Sequence, residues 1–393
     1  MFPERFSNLP AYPFARLRNL LDPIQSEHVA LTMTIGEPTH AFPSWIIDII
    51  AQNAFGFNSY PPNEGSPELR GAICDWAKRR YGLDLDADRN VIVLNGTREG
   101  LYNAAMALCP EKKNGAQPII LTPNPFYQVY MFAALSVGAR SEFVPATRET
   151  GFLPDYTALP SEVLNQTALA YICSPANPQG AVADEGYWKD LIGLAEKHDF
   201  KILADECYSE IYRKRPPVGA LEVAADMGAD PERAVIFHSL SKRSNLPGLR
   251  SGFAAGGEKT ITQLKTMRAY SGAPLPLPLQ RAAEAVWADE AHVIENRTLY
   301  EEKFKLADDI LGNIAGVSTP EAGFFLWLPY RDGEEAAVKL WREEGLRVLP
   351  GRYLAQDVNG QNPGHNYIRV ALVADKAHTE QGLLKIRRCL YNE

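Results

Sequence analysis

The sequence predicts an α/β protein: a mainly parallel sheet of seven strands with helices on both faces. Two observations carry this prediction. First, seven short apolar runs recur between Val91 and Gly256 (91–94, 119–121, 142–144, 168–173, 201–204, 234–237 and 252–256). They are continuous, mostly rich in branched or aromatic side chains, and too short for helices. Second, helical patterns such as 101–108, 129–135 and 187–198 alternate with those runs. A helix between two strands is the crossover that lets them run parallel, and strands covered on both faces lose the polar-apolar alternation.

With 393 residues and 46% hydrophobic content, the chain exceeds the size at which one core stops growing. Two domains are expected: a large one over 41–292, and a smaller α+β one from both chain ends, 1–40 and 293–393. Net charge is −8 and no long basic cluster occurs, which argues against a nucleic-acid partner. Cys74, Cys109, Cys173, Cys207 and Cys389 form no CxxC pair, so neither a zinc site nor a disulfide framework is indicated. No paired histidine spacing suggests a metal. The amino-terminal segment lacks the apolar core of a signal peptide, and no run of roughly eighteen apolar residues exists. A cytoplasmic protein with reduced thiols and no membrane contact is expected.

In chain order, 14–21 has a helical pattern closed by Asp22-Pro23, and an extended run leads to Thr34 and the turn Ile35-Gly36-Glu37-Pro38. Ser66-Pro67 opens a helix, serine as cap and proline in its first turn, with Leu69, Ile73, Trp76 and Ala77 on one face. Pro274, Pro276 and Pro278 predict an extended segment where no helix runs. Helices follow over 279–288 and 291–314, then strands over 323–328 and 367–372.

The chemistry concentrates where strands end, the edge at which parallel sheets collect ligands. After 234–237 comes Ser239-Leu-Ser-Lys-Arg-Ser-Asn-Leu-Pro-Gly-Leu-Arg-Ser-Gly252. Lys242 is suited to a Schiff base with a cofactor aldehyde, while Ser239, Ser241 and Arg250 offer hydroxyls and a guanidinium to a phosphate. After 91–94, Gly96, Thr97 and Arg98 open a helix whose free amides and dipole suit the same anion. Phe126 and Tyr127 follow 119–121 and offer an aromatic face to a pyridine ring. Asp205 ends 201–204; an ionised carboxylate there would hold a proton on the pyridine nitrogen, and that cation is expected to depress its pKa. Glu206, one residue on, faces the other way. Tyr208 lies within reach of a phenolic oxygen. Arg369 stands among Ile, Val, Ala and Leu, where a buried charge needs a counter-ion. His238 is expected to pack in the sheet.

The lysine stretch, with S-x-S-K followed by Gly248, Arg250 and Gly252, resembles the motif of class I aminotransferases, the aspartate aminotransferase superfamily of pyridoxal-phosphate fold type I. Ser251 departs from the small aliphatic residue more usual there. Other motifs agree in order: Gly36-x-Pro38, Y-x-x-x-x-G-x-x-x-L-R from Tyr60 to Arg70, Gly96-Thr97-Arg98, Asn177-Pro-x-Gly, Asp205-x-x-Tyr208 and Ile-Arg369-Val.

The resemblance implies pyridoxal 5'-phosphate as cofactor, small amino and keto acids as substrates, and a homodimer with shared active sites. It makes Tyr127 the ring-stacking residue and Asn177 a donor to the cofactor's phenolic oxygen. It also makes Gly36 and Arg369 neighbours of the substrate α-carboxylate, and Tyr60 a phosphate ligand of the partner subunit. Lys242, Asp205 and Tyr208 become the catalytic set, Lys242 as both anchor and proton shuttle in a ping-pong exchange.

The amino-terminal pattern Y-P-F-x-R-L-R-x-L-L and the I-G-E-P-T-H turn look most like the bacterial succinyldiaminopimelate aminotransferases of lysine biosynthesis. Their distal carboxylates require a further cation, for which Arg16, Arg18 and Arg268 are candidates. An aspartate, aromatic or alanine aminotransferase, or a carbon–sulfur lyase of the same fold, would use the same lysine and aspartate.

Overall fold

The computed structural model describes residues 3–7 and 9–391. Its strands are β1 (Leu31–Thr32), β2 (Val91–Leu94), β3 (Ile119–Asn124), β4 (Arg140–Pro145), β5 (Thr167–Cys173), β6 (Lys201–Asp205), β7 (Ala234–Ser239), β8 (Gly252–Gly256), β9 (Phe325–Pro329), β10 (Leu346–Arg347), β11 (Leu349–Pro350) and β12 (Tyr367–Ala371). The predicted seven-stranded sheet has the order β2-β8-β7-β6-β5-β3-β4. Strands β3 to β7 pair in parallel. The exception is β8, antiparallel to both of its neighbours.

That reversal positions the site. Because β8 runs backwards, it begins where β2 and β7 end: Gly252 pairs with Leu94 on one side and Ser239 on the other. Residues just after β2, just after β7 and just before β8 therefore meet at one edge. A Cβ on Gly252 would lie 2.6 Å from the His238 carbonyl oxygen, so the close approach requires glycine.

Apolar side chains cover both faces of the sheet. Ile202 and Ala204 of β6 face one core with Trp76, Trp188 and Trp287, and Leu203 faces the other with Tyr130 and Tyr171. The helix Pro67–Tyr81 starts as predicted, with Ser66 Oγ accepting from the Leu69 amide at 3.3 Å, and stops at Gly82, whose φ of 69° is left-handed. Leu69, Ile73, Trp76 and Ala77 are all buried.

One expectation needs correction. Pro278 lies inside a helix, Leu277–Ala288, rather than in an extended segment. It occupies the first turn, where the missing amide hydrogen has no carbonyl to meet, so only the chain up to Pro276 is barred from helix.

A second core gathers around β9, β11 and β12, an antiparallel sheet of order β11-β12-β9. Phe304, Leu326, Leu328, Ile368 and Val370 are buried there. The amino-terminal stretch is stitched to it: β1 pairs with β10, and the Ala371 amide donates to the Met33 carbonyl at 2.8 Å. Among the described residues no helix is long and apolar enough to cross a membrane, and no cluster of three or more His, Cys, Asp or Glu could hold a metal.

Candidate active site

A cavity of about 400 Å³ opens at the carboxyl edge of the sheet. Of the residues singled out from sequence, Gly36, Thr97, Arg98, Tyr127, Asn177, Asp205, Tyr208, Ser239, Ser241, Lys242, Arg250 and Arg369 line it. Gly96 stands just behind, its missing side chain filled by Arg250: a Cβ there would lie 2.2 Å from Nη2. Tyr60 is the exception. It is fully exposed and lines no part of the cavity within this chain.

Lys242 projects from the short helix Leu240–Arg243 that follows β7, and its Nζ donates to the Gly36 carbonyl. Burial lowers its pKa to about 8, far below the usual lysine value. Gly36 itself is squeezed against β9, since a Cβ would come within 2.4 Å of the Phe325 ring. The turn thus brings its carbonyl to the lysine because no side chain intervenes.

An anion cradle forms beside the lysine. Ser239 Oγ caps the Ser241 amide at 3.1 Å and shares a 2.8 Å hydrogen bond with Ser241 Oγ. Gly96, with φ of 81°, turns the chain into the helix Thr97–Leu108. Arg250, left-handed at φ of 57°, donates from Nη1 to the Pro247 carbonyl at 2.8 Å and from Nη2 to that of Asn95 at 3.1 Å. These groups come from the ends of β2 and β7 and the start of β8, as the sheet order dictates.

Asp205, the last residue of β6, is buried; Tyr130 Oη donates to its Oδ2 at 2.8 Å. In the protein alone its pKa is raised, because desolvation outweighs its hydrogen bonds from Cys207 and Tyr130. The depression expected from sequence needs a cation that the chain does not itself provide. Glu206 faces away as expected, its carboxylate 3.0 Å from His238 Nε2 within the core.

Arg369 is 4% exposed and has no carboxylate partner among the described residues. Its Nη1 donates to Asn177 Oδ1 at 3.0 Å, its Nη2 to the Thr34 carbonyl at 2.7 Å, and its buried Nε to nothing. The guanidinium lies over the Phe325 ring, and burial lowers its pKa to about 10. A buried cation without a counter-ion is costly, and a ligand carboxylate would relieve it.

Sequence reasoning missed Tyr12, Tyr130 and Cys207. Tyr12 and Cys207 line the cavity, and Thr97 Oγ1 lies 3.1 Å from Cys207 Sγ. Tyr130 lies in the first turn of the helix Gln128–Ser136, just after Tyr127, and its hydroxyl meets Asp205 from far along the chain, so no local signal marked it.

A second cavity of about 370 Å³ adjoins the first, and Tyr12, Arg98 and Tyr127 help to wall both. Arg16 lines it; Arg18 is exposed and lines neither. Arg268 is buried and committed elsewhere, its Nε on Glu99 at 2.7 Å and its Nη1 on the carbonyls of Asn63 and Val93. Among the described residues no Asp or Glu lines this second cavity.

A buried amine of lowered pKa, clustered hydroxyls and a guanidinium, a buried carboxylate, and an arginine without a carboxylate partner among the described residues meet at one crevice of a seven-stranded sheet, the set of groups that a pyridoxal-phosphate-type transferase needs. The chain belongs to the aminotransferase class I and II family, whose model matches residues 30–385. The family uses pyridoxal 5'-phosphate. An LL-diaminopimelate aminotransferase of Dehalococcoides mccartyi is 31% identical over 395 residues, 98% of this chain and 97% of that one. An aminotransferase from Neisseria meningitidis is 40% identical with a TM-score of 0.94, the match covering 98% of this chain and 99% of that one. A Thermus thermophilus protein described as a probable N-succinyldiaminopimelate aminotransferase is 25% identical with a TM-score of 0.82, over 96% of this chain and all of that one.

Proposed function

We propose that this aminotransferase exchanges the amino group of N-succinyl-L,L-2,6-diaminopimelate with 2-oxoglutarate, giving glutamate and N-succinyl-2-amino-6-oxopimelate, in either direction. The observation that carries the reaction class is Arg369, a buried and unpaired guanidinium in the same cavity as a lysine amine of pKa about 8. One group suits an α-carboxylate and the other an α-proton. Two findings support the substrate: relatives are named for diaminopimelate, and the adjoining cavity carries Arg16 and Arg98 but no acid among the described residues. A distal ammonium would find no carboxylate there, whereas an N-acylated end has none to satisfy. Direct use of LL-diaminopimelate is the second reading, favoured by the relatives' name.

When bound, pyridoxal phosphate supplies an aldehyde for the amino group and an electron sink for the α-carbon. Lys242 anchors it and, once freed, accepts the α-proton and returns it; an amine near pKa 8 is largely available as a base at slightly alkaline pH. Gly96, Thr97, Arg98, Ser239, Ser241 and Arg250 would hold the phosphate end. Asp205, kept buried beside Tyr130, would supply a negative charge to hold a proton on the ring nitrogen. Tyr127 would stack on the ring, and Asn177 and Tyr208 would hydrogen-bond its phenolic oxygen. Arg369 grips the α-carboxylate by two parallel hydrogen bonds, and Gly36 leaves room beside it.

The test is a half-reaction series with purified holoenzyme and N-succinyl-diaminopimelate, LL-diaminopimelate, aspartate and phenylalanine. The succinylated compound is expected to give the highest kcat/KM by at least about tenfold, a ratio worth about 1.4 kcal/mol of differential binding. Parity with aspartate would end the substrate assignment without touching the reaction class.

Tyr60 we assign to the cofactor phosphate of a partner subunit. Its complete exposure, together with that of Phe55 and Tyr270, is unusual for aromatic side chains and suits a covered interface. Sedimentation of the holoenzyme is expected to give twice the chain mass of 43.6 kDa; a monomer at micromolar concentration would rule this out.

A further inference from the structure

The second cavity has a chemical character of its own. Met131 and Phe132 give it apolar wall, and Arg16 supplies a cation. The Arg16 guanidinium carbon lies over the Tyr353 ring, 3.8 Å from its centroid, and the group has no carboxylate partner among the described residues. Tyr353 is itself held, its hydroxyl donating to Glu334 Oε1 at 2.5 Å while Arg352 pairs with the other oxygen of that carboxylate at 3.0 Å. Glu334 therefore spends its charge on Arg352 and Tyr353. Arg98, the other cation on this wall, already donates to Tyr127 Oη at 2.5 Å.

A cation resting on an aromatic face is oriented without being neutralised, and its donors stay open to a planar anion. This space and the Lys242 cavity adjoin, with Tyr12, Arg98 and Tyr127 lining both, which sets Arg16 on the side of the crevice where the far end of an extended substrate would lie. We propose that Arg16, backed by Tyr353, receives a second carboxylate at the far end of the substrate, and so selects long α-amino dicarboxylates that carry no distal ammonium. The inference deepens the proposed function and rests on its reading of Arg369 as the site of the α-carboxylate.

Unreactive acids test it directly. Calorimetry on the holoenzyme compares pimelate and suberate, which carry two carboxylates, with heptanoate, which carries one. In the unmodified enzyme at least one diacid is expected to bind about 10- to 100-fold tighter than heptanoate, the range for a desolvated charge-assisted contact. In Arg16→Gln that ratio falls to within about threefold of one, and Arg16→Lys, which keeps the charge but loses the fork, falls between. The KM for N-succinyl-diaminopimelate rises by the same factor in Arg16→Gln. Bound-cofactor absorbance and Tm report whether each variant is folded.

An unmodified enzyme that does not prefer diacids, or an Arg16→Gln variant that keeps the preference, overturns the proposal. The two readings fail separately. If N-succinyl-diaminopimelate is not a substrate and Arg16→Gln still abolishes diacid preference, Arg16 stands and the substrate assignment falls. If that substrate is turned over and the preference survives the substitution, the reverse holds.

Discussion

Replacing Lys242 with alanine is expected to leave a protein that still takes up pyridoxal phosphate but transaminates at least about 10⁴-fold more slowly, the loss of a positioned base and an anchoring nucleophile together. Uptake survives because the groups proposed to hold the phosphate are other side chains: Ser239 at the end of β7, Ser241 in the short helix that follows it, Gly96 and Thr97 after β2, and Arg250 before β8. Among the described residues no other lysine lines the cavity to substitute for Lys242. Single-turnover kinetics with glutamate measure the rate. Borohydride reduction followed by peptide mass spectrometry should label Lys242 in the parent and no lysine in the variant. Turnover within tenfold of the parent, or a label on another residue, would remove Lys242 from the mechanism.

Asp205→Asn should lower kcat by about 10³-fold, roughly 4 kcal/mol at 1.36 per decade, with a much smaller change in substrate KM. The amide keeps the shape but has no charge with which to hold a proton on the ring. Burial here magnifies the difference, because Asp205 is desolvated and water is a poor substitute partner. Tyr130 donates to its Oδ2 and the Cys207 amide lies 3.4 Å from Oδ1, so the carboxylate is held in orientation before any ligand arrives. Asp205→Glu tests charge against position: it retains the charge and should recover part of the rate. An asparagine variant within tenfold of the parent would show that the charge does not matter.

Much of this was legible before any coordinates. A strand covered on both faces writes itself as an uninterrupted apolar run, and β2 and β8 have the predicted limits. The residues that end strands were legible too, because chemistry-bearing types such as Lys242 and Asp205 stand out immediately after such runs. What stayed hidden depends on contacts between segments far apart in the chain. Nothing local tells that Gly36 must be glycine because Phe325 presses on it, or that Arg268 is consumed by Glu99 and two carbonyls while Arg16 is left without a carboxylate. Pro278 misled because the rule against proline in helices lapses in the first turn. Tyr60 was found by motif alone, and a single chain gives it no neighbour to explain it.

The two carbonyls gripping the Arg250 guanidinium have a thermodynamic corollary. A free arginine surrenders considerable rotational freedom when it captures an anion, which blunts the affinity gained. Here that freedom is already gone when the chain folds, so the loss is charged to folding and not to capture. The anion proposed to bind at this corner would therefore meet a side chain already held in place, and would lose less affinity to ordering than it would to a free arginine.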